Sequence, residues 1–409
     1  IVDIGPGCPT GVLGGQGAKF PANYQDAIYA LDWTFGTIYA IHLTPDGAGY
    51  RGEQEAFCYG APLPVTDAII GHDGAFYFTI GGRNTQSALF RITYVGDEST
   101  APATGTLPGH EARELRRSLE AFHGVGNTDA AAWPHLASPD RWLRHAARLA
   151  VEAQPTSAWA DRVLAESDPQ ARITGAVALA RMGETSHQAA LVTSLLELDP
   201  QTLSESQLLG LLRAYALTFI RLGQPTAEQR EKIIASLDPH LPHPSKNVTT
   251  ELVRVLVYLE APNVIAKTID LIKNPGKTEV PDWTELASRN KGYGGRVLAM
   301  LENHPPTHEI NYAFMLRNLR KGWTMDQRRS YIEFINAAAK YPGGNSFGKF
   351  LANMRDEVLG YLSNADRAAL ADISGENFNP VPDFPIVPPA GPGQNWTVAT
   401  AAKFTTGGQ

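Results

Sequence analysis

Cysteine is scarce in this chain of 409 residues, which has only Cys8 and Cys58. A c-type haem needs a Cys-x-x-Cys-His attachment site, so these residues exclude covalently attached haem. They also exclude an iron–sulfur cluster, which needs a set of cysteine ligands. Apolar runs are short, and none approaches the roughly 18 residues of a membrane-spanning helix.

Metal and dinucleotide motifs are missing as well. No His-Glu-x-x-His pattern is present, and His240, His243 and the pair His304/His308 lack an acidic partner at that spacing, so zinc is not predicted. No Gly-x-Gly-x-x-Gly fingerprint occurs at a strand-to-helix turn. Residues 1–98 hold ten Asp or Glu against four Lys or Arg. That acidic balance argues against a nucleic-acid partner, because phosphate binding needs a basic face.

What is present in residues 1–98 is a repeated pattern of short strands. Alternating apolar residues bounded by Gly, Pro and Asp-Gly turns indicate antiparallel strands joined by hairpins. The pattern predicts strands at 9–13, 26–31, 37–43, 53–59, 66–70, 75–80 and 88–94. We interpret them as the last two blades of a β-propeller. Propellers need about four to eight blades, so upstream blades or a partner chain would complete the ring.

From about Gly109 the pattern changes to helices. The segment 138–150 recurs as 167–179, with small residues where two helices must pack closely, as in HEAT-like repeats. Ser204, Thr226 and Thr324 each stand three residues before a glutamine, which is typical of a capping box at a helix start. We therefore predict a linker at 99–112, a HEAT-like α-solenoid at 113–374 and an extended Pro-rich tail at 375–409, leading to an absent domain.

Five segments carry a family resemblance, and they lie at 138–152, 251–262, 312–324, 337–362 and 391–398. With the strand region, they resemble the membrane-bound dehydrogenases of the Planctomycetes/Verrucomicrobia type, also described as PVC-type haem-binding proteins. In that family, a glucose/sorbosone-dehydrogenase-like propeller precedes HEAT-like helices and a c-type cytochrome domain. The resemblance implies a periplasmic, secreted or cell-surface location and electron transfer.

Two functions follow as alternatives. The chain is either part of a quinoprotein-like sugar or alcohol dehydrogenase that passes electrons to a cytochrome domain outside these residues, or a non-catalytic binding or scaffold module. In the second case the solenoid docks a partner and the propeller binds a glycan or another chain. The resemblance implies pyrroloquinoline quinone, calcium and c-type haem for the parent protein. We expect the 409 residues to carry none of these cofactors and to be inactive alone.

In a propeller, the loops that enter the inner strand of each blade and the loops between its second and third strands open on the same face, around the central axis. We call this face the mouth, and we expect a ligand site there. Arg83 is a candidate to hold a carboxylate or polarise a carbonyl. Asp32 and Asp67 are candidates for calcium binding or general-base catalysis. The structural alternative is that these aspartates pair with backbone donors of the next blade and that Arg83 bridges blades. The candidate ligand-binding residues at this mouth are Thr10, Trp33, Thr34, Thr66 and Asn84.

The two cysteines each lie beside a strand entrance of adjacent blades. Because the resemblance implies an oxidising compartment, we predict a disulfide between Cys8 and Cys58. The alternative is two buried free thiols, and Cα atoms more than about 7 Å apart would exclude the bond.

Overall fold

The computed structural model describes residues 1–82, 84–103, 109–124, 129–276, 280, 282–344, 346–375 and 397–399. Its first part forms two antiparallel sheets, one with the strand order β1-β2-β3-β4 and one with the order β5-β6-β7. Each strand overlaps one that the sequence predicts. Their bounds are β1 (Pro9–Gly14), β2 (Ile28–Asp32), β3 (Thr37–Asp46), β4 (Gly49–Tyr59), β5 (Val65–Ile70), β6 (Phe76–Gly82) and β7 (Thr85–Ile92).

An aromatic core joins the two sheets. Tyr29 and Leu31 of β2 are fully buried against Phe76 and Phe78 of β6. The ring centroids of Tyr29 and Phe76 lie 4.9 Å apart. These residues alternate along their strands, so one face of each sheet turns toward this core.

The prediction of propeller blades followed by a HEAT-like solenoid is wrong as a fold class. The four-stranded and three-stranded sheets are small and open, they do not form part of a closed ring, and a helical region follows them. Hairpin turns and alternating apolar residues are local signals that specify strands and their neighbours. They do not specify how one sheet packs on the next, which depends on contacts between residues far apart in sequence.

Helices fill the remainder of the described chain. They are α1 (Ala22–Gln25), α2 (His110–Glu120), α3 (Asp129–Ala132), α4 (Arg141–Glu152), α5 (Ala160–Leu164), α6 (Pro169–Met182), α7 (Gln188–Leu196), α8 (Glu205–Arg221), α9 (Ala227–Leu237), α10 (Lys246–Tyr258), α11 (Val264–Lys273), α12 (Thr284–Ser288), α13 (Lys291–Glu302), α14 (Thr307–Leu316), α15 (Met325–Ala338), α16 (Phe347–Gly360), α17 (Asn364–Ala369) and α18 (Ala371–Ser374). The apolar faces of most of them share one continuous core, to which Leu211, Leu212 and Tyr215 of α8 contribute, whereas α12 and α13 pack with Phe35 in a separate cluster.

The predicted helix starts are confirmed in detail. Ser204, Thr226 and Thr324 cap α8, α9 and α15, and each forms a reciprocal capping box with the glutamine three residues later. Such a box satisfies two backbone N–H groups that the first helical turn leaves without partners. The helix that begins each copy of the repeated segment is capped by Asp140 or Asp168.

The sheets and the helices belong to one compact unit, Ile1–Phe378, which is separate from Asn379–Gln409. The predicted Pro-rich tail lies outside the described residues, apart from 375 and 397–399. Among the helices of the described part, none has the length and apolar character needed to cross a membrane.

Candidate functional site

A cavity of about 210 Å³ lies where three loops of the sheets meet the junction of α12 and α13. The turn between β2 and β3, at 33–36, forms one wall. The connection at 60–64 and the turn between β6 and β7 form the next walls, and residues 289–293 close the cavity from the helical side.

The indole of Trp33 forms an aromatic wall of this cavity. Its Nε1–H donates to the carbonyl oxygen of Gly81 at 2.9 Å, which holds the β2–β3 turn against the β6–β7 turn. Gly82 has a φ of +103°, and a Cβ at this position would lie 3.4 Å from the Trp33 ring. Glycine therefore allows the backbone conformation of this turn, which other residues rarely adopt. The ring of Tyr293 meets Trp33 edge to face, with 6.4 Å between centroids.

Polar groups from the helical side complete the cavity. The Nδ2 amide of Asn290 donates to the carbonyl oxygen of Thr34 at 2.7 Å, while its Oδ1 accepts from Gly292 N–H and caps α13. The Arg289 side chain is only 14% exposed; its Nη1 donates to Thr37 Oγ1 at 2.8 Å and its Nη2 to Glu285 at 2.9 Å. The Arg289 guanidinium also lies over the ring of Tyr59. Of the described residues that line the cavity, only Arg289 is charged.

Asp32 has a structural role in this arrangement. Its carboxylate is 2% exposed and accepts backbone N–H bonds from Cys8 at 2.7 Å, Thr34 at 3.1 Å and Phe35 at 2.7 Å. These bonds shape the β2–β3 turn that carries Trp33. The structural alternative expected backbone donors of the next blade; the donors are backbone N–H groups, but they belong to the turn after Asp32 itself and to the residue that precedes β1 of the same sheet.

Other predicted site residues lie apart from the cavity. The Thr10 hydroxyl donates to the Val65 carbonyl at 2.9 Å and ties β1 to β5. The Thr66 hydroxyl is bonded to Thr79 on the neighbouring strand. Asp67 is exposed and lines a different groove, on the outer face of the three-stranded sheet. The predicted single mouth is thus divided, with only Trp33 and Thr34 of its described members lining the cavity.

The turn between β6 and β7 carries the two remaining candidates. Asn84 is exposed and has a φ of 64°, a left-handed conformation that asparagine tolerates better than most residues. Its neighbours Gly82 and Thr85 line the cavity. Arg83 lies outside the described residues.

The predicted disulfide between Cys8 and Cys58 is wrong, since both are free cysteines. Cys8 directly precedes β1, and Cys58 is on β4, so they occupy opposite edges of the four-stranded sheet. Three strand spacings of about 4.8 Å separate these edges by roughly 14 Å. A disulfide needs Cα atoms within about 7 Å of each other. Burial raises the pKa of the Cys58 thiol.

The two aspartates that are candidates for calcium binding lie apart. Asp32 uses its carboxylate on three backbone donors, and Asp67 faces another groove, so they cannot hold one calcium ion together. In the described part, no three His, Cys, Asp or Glu side chains are grouped to hold a metal. Pyrroloquinoline quinone carries three carboxylates, and Arg289 is their single cationic partner among the described lining residues.

Sequence reasoning missed the helical wall of the cavity. Asn290 has a recognisable helix-capping position before Lys291, but nothing in the sequence indicates that it contacts Thr34. The two residues are 256 positions apart, and Arg289 is 252 positions from Thr37. Their meeting is a consequence of tertiary packing.

Comparison with protein-family models, with curated proteins and with solved structures finds no match to this chain.

Proposed function

We propose that this chain is a carbohydrate-binding module and that the cavity holds one sugar ring. The combination of aromatic and planar polar groups in its walls carries this proposal. Trp33 and Tyr293 supply aromatic surface for the apolar C–H face of a pyranose. Arg289 supplies guanidinium N–H donors beyond the two that bond Thr37 and Glu285, and such donors recognise hydroxyls. Asn290 holds the turn that carries Trp33.

The size of the cavity supports a small ligand. Pockets for drug-sized ligands occupy about 300–1,000 Å³, whereas this cavity has about 210 Å³. One terminal ring of a glycan suits this volume, with the rest of the chain lying outside.

Binding is favoured over hydrolysis as the role of this site. Glycoside hydrolysis generally uses a pair of carboxylic acids that flank the scissile bond. The described residues that line the cavity include neither Asp nor Glu. Glu285, which pairs with Arg289, is 85% exposed and lies on the solvent side of α12.

The dehydrogenase role implied by the family resemblance stays a prediction, as do the periplasmic, secreted or cell-surface location and the cytochrome partner. The contacts of the candidate catalytic residues give the dehydrogenase role little support. Asp32 is committed to backbone donors and Asp67 lies in another groove. A dye-reduction assay on a sugar panel, with added pyrroloquinoline quinone and calcium, tests this role independently of binding.

Binding to a panel of neutral oligosaccharides, measured by isothermal titration calorimetry, tests the proposal. We expect Tyr293→Ala to weaken binding at least tenfold. Tyr258→Ala is the matched control, because Tyr258 is an aromatic residue on α10 that is 44% exposed and does not line the cavity. It should leave binding unchanged.

Thermal unfolding of both variants separates loss of the site from loss of the fold. If Tyr293→Ala unfolds, the milder variant Thr34→Ala replaces it in the titrations. The proposal is overturned if no saccharide on the panel binds, or if the cavity variants and the control weaken binding equally.

A further inference from the structure

A second cavity, of about 440 Å³, lies within the helical region. The sharp turn from α10 into α11 forms one side, and the loop from α14 to α15 forms the other. This volume falls within the usual range for ligand sites, about 300–1,000 Å³. Two of the segments that carry the family resemblance, 251–262 and 312–324, meet here.

The inner surface of this cavity is apolar. Ala261 and Ile265 are each 4% exposed, and Pro262 and Leu319 extend the apolar surface. Burial of an apolar ligand against such a surface is favourable by about 25 cal/mol for each Å² removed from water.

The rim of the cavity carries positive charge. Lys321 is exposed, and no carboxylate of the described residues forms an ion pair with its ammonium group. Arg320 lies over the ring of Tyr361, with its guanidinium carbon 4.4 Å from the centroid. Glu357, an acidic neighbour of Arg320, is already bonded to Arg317 and to the Tyr361 hydroxyl.

The one acidic residue of the described lining is engaged elsewhere. The Glu260 carboxylate lies 3.6 Å from Nη1 of Arg230 on α9. Glu260 has a φ of 52°, so it occupies the left-handed position that ends a helix. Its N–H donates to Val257, and the following N–H, of Ala261, donates to Leu256. This turn directs the chain into α11 and creates the wall of the cavity.

We propose that this cavity binds a small amphipathic anion, meaning a monocarboxylate or sulfonate with an apolar body. The body contacts Pro262, Ile265 and Leu319, and the anionic group lies at Lys321 and Arg320. This inference concerns a site separate from the sugar cavity and does not depend on the proposed function.

The test uses 8-anilinonaphthalene-1-sulfonate, a fluorescent amphipathic anion, with the full 409-residue chain. We expect saturable binding with one site, competed by octanoate and not by octanol, which has the same chain length without the charge. Lys321→Glu should weaken binding at least tenfold, since it places a negative charge beside the anionic group. Lys349 is an exposed lysine on α16, and Lys349→Glu is the matched control. Its dissociation constant for the dye should lie within twofold of that of the unsubstituted chain.

Lys321 is exposed and the described residues offer it no ion pair, so its substitution should leave the unfolding temperature unchanged and the binding comparison valid. The inference is overturned if binding does not saturate, if octanol competes as well as octanoate, or if the two charge-reversal variants behave alike.

Discussion

At the scale of single residues, two aspartates with the same chemistry have opposite environments. Asp32 is buried, and three backbone N–H groups donate to its carboxylate. Asp67 is exposed, and its carboxylate accepts from the N–H of its neighbour Ala68. A buried carboxylate that satisfies several donors is costly to remove, because the donors are left without partners in a place that water does not reach. Asp32 therefore acts on the cavity beside Trp33 through the turn that it holds.

We expect Asp32→Ala to lower the free energy of unfolding by about 3 kcal/mol, since three charge-assisted hydrogen bonds are lost. Asp67→Ala should change it by less than about 0.5 kcal/mol, as is usual for exposed positions. Urea denaturation of the two variants and of the unsubstituted chain measures both changes in the free energy of unfolding. Equal effects would contradict the structural role assigned to Asp32.

At the scale of elements, a polar cluster fastens the turn between β5 and β6 to β7. Arg91 of β7 donates to Asp73 through Nε at 3.1 Å and Nη2 at 2.8 Å. The Tyr77 hydroxyl donates to the same carboxylate oxygen at 2.9 Å. Tyr77 and Arg91 are direct cross-strand partners, so the cluster connects the turn with both strands. Its position on the solvent face exposes it to screening by salt.

The hydrogen bond from Arg91, with the N–H of Ala75 and the Tyr77 hydroxyl, lowers the pKa of Asp73 to about 2. Because this pKa lies below the ordinary value near 3.8, the folded protein gains stability from the carboxylate above that value. The gain is lost as the pH falls from about 4 to about 2. We expect Arg91→Gln to raise the pKa of Asp73 toward its ordinary value, measured by carboxyl-carbon NMR.

Arg51→Gln is the control for this titration. Arg51 is an exposed arginine of the other sheet and lies 3.9 Å from Asp46. Its loss should not affect Asp73. An Asp73 titration that is the same in the parent and in Arg91→Gln would show that the cross-strand contact does not persist in solution.

At the scale of the whole molecule, the sheets are attached to the helices at two places. The first is the hairpin between β3 and β4, where Asp140, the cap of α4, accepts the N–H of Ala48 at 2.5 Å. Gly49 lies directly under the indole of Trp142 on α4. The second is the cavity beside Trp33, where the junction of α12 and α13 meets the β2–β3 turn. The contacts at the second place join the sheet side of the cavity to its helical side.

We expect Gly49→Val to lower the free energy of unfolding by about 2 kcal/mol, a typical cost of overpacking. A Cβ at Gly49 would lie 3.0 Å from Cε2 of Trp142 and closer still to Nε1. Gly360→Val is the matched control, because a Cβ there meets nothing within 4 Å. Chemical denaturation compares them, and equal losses would show that the hairpin does not pack on α4 as described.

Sequence alone determined the elements. The strands of both sheets and the capping boxes at Ser204, Thr226 and Thr324 follow from turn residues, alternation and side-chain caps, all of which act within a few positions of the chain. The placement of Trp33 and Thr34 in a turn beside a β-strand was readable in the same way.

Tertiary structure alone decided how the sheets pack and which residues form the cavities. The sheets are open, contrary to the predicted propeller. The packing of one sheet on the other, in which the Tyr29 and Phe76 rings are tilted by 60° to each other, depends on contacts that no local pattern encodes. Cys8 and Cys58 are kept apart by sheet order. Asn290 reaches Thr34 across 256 positions of sequence. Such contacts form only when the apolar cores of sheets and helices pack together, and this packing is what brings aromatic and polar side chains to one site.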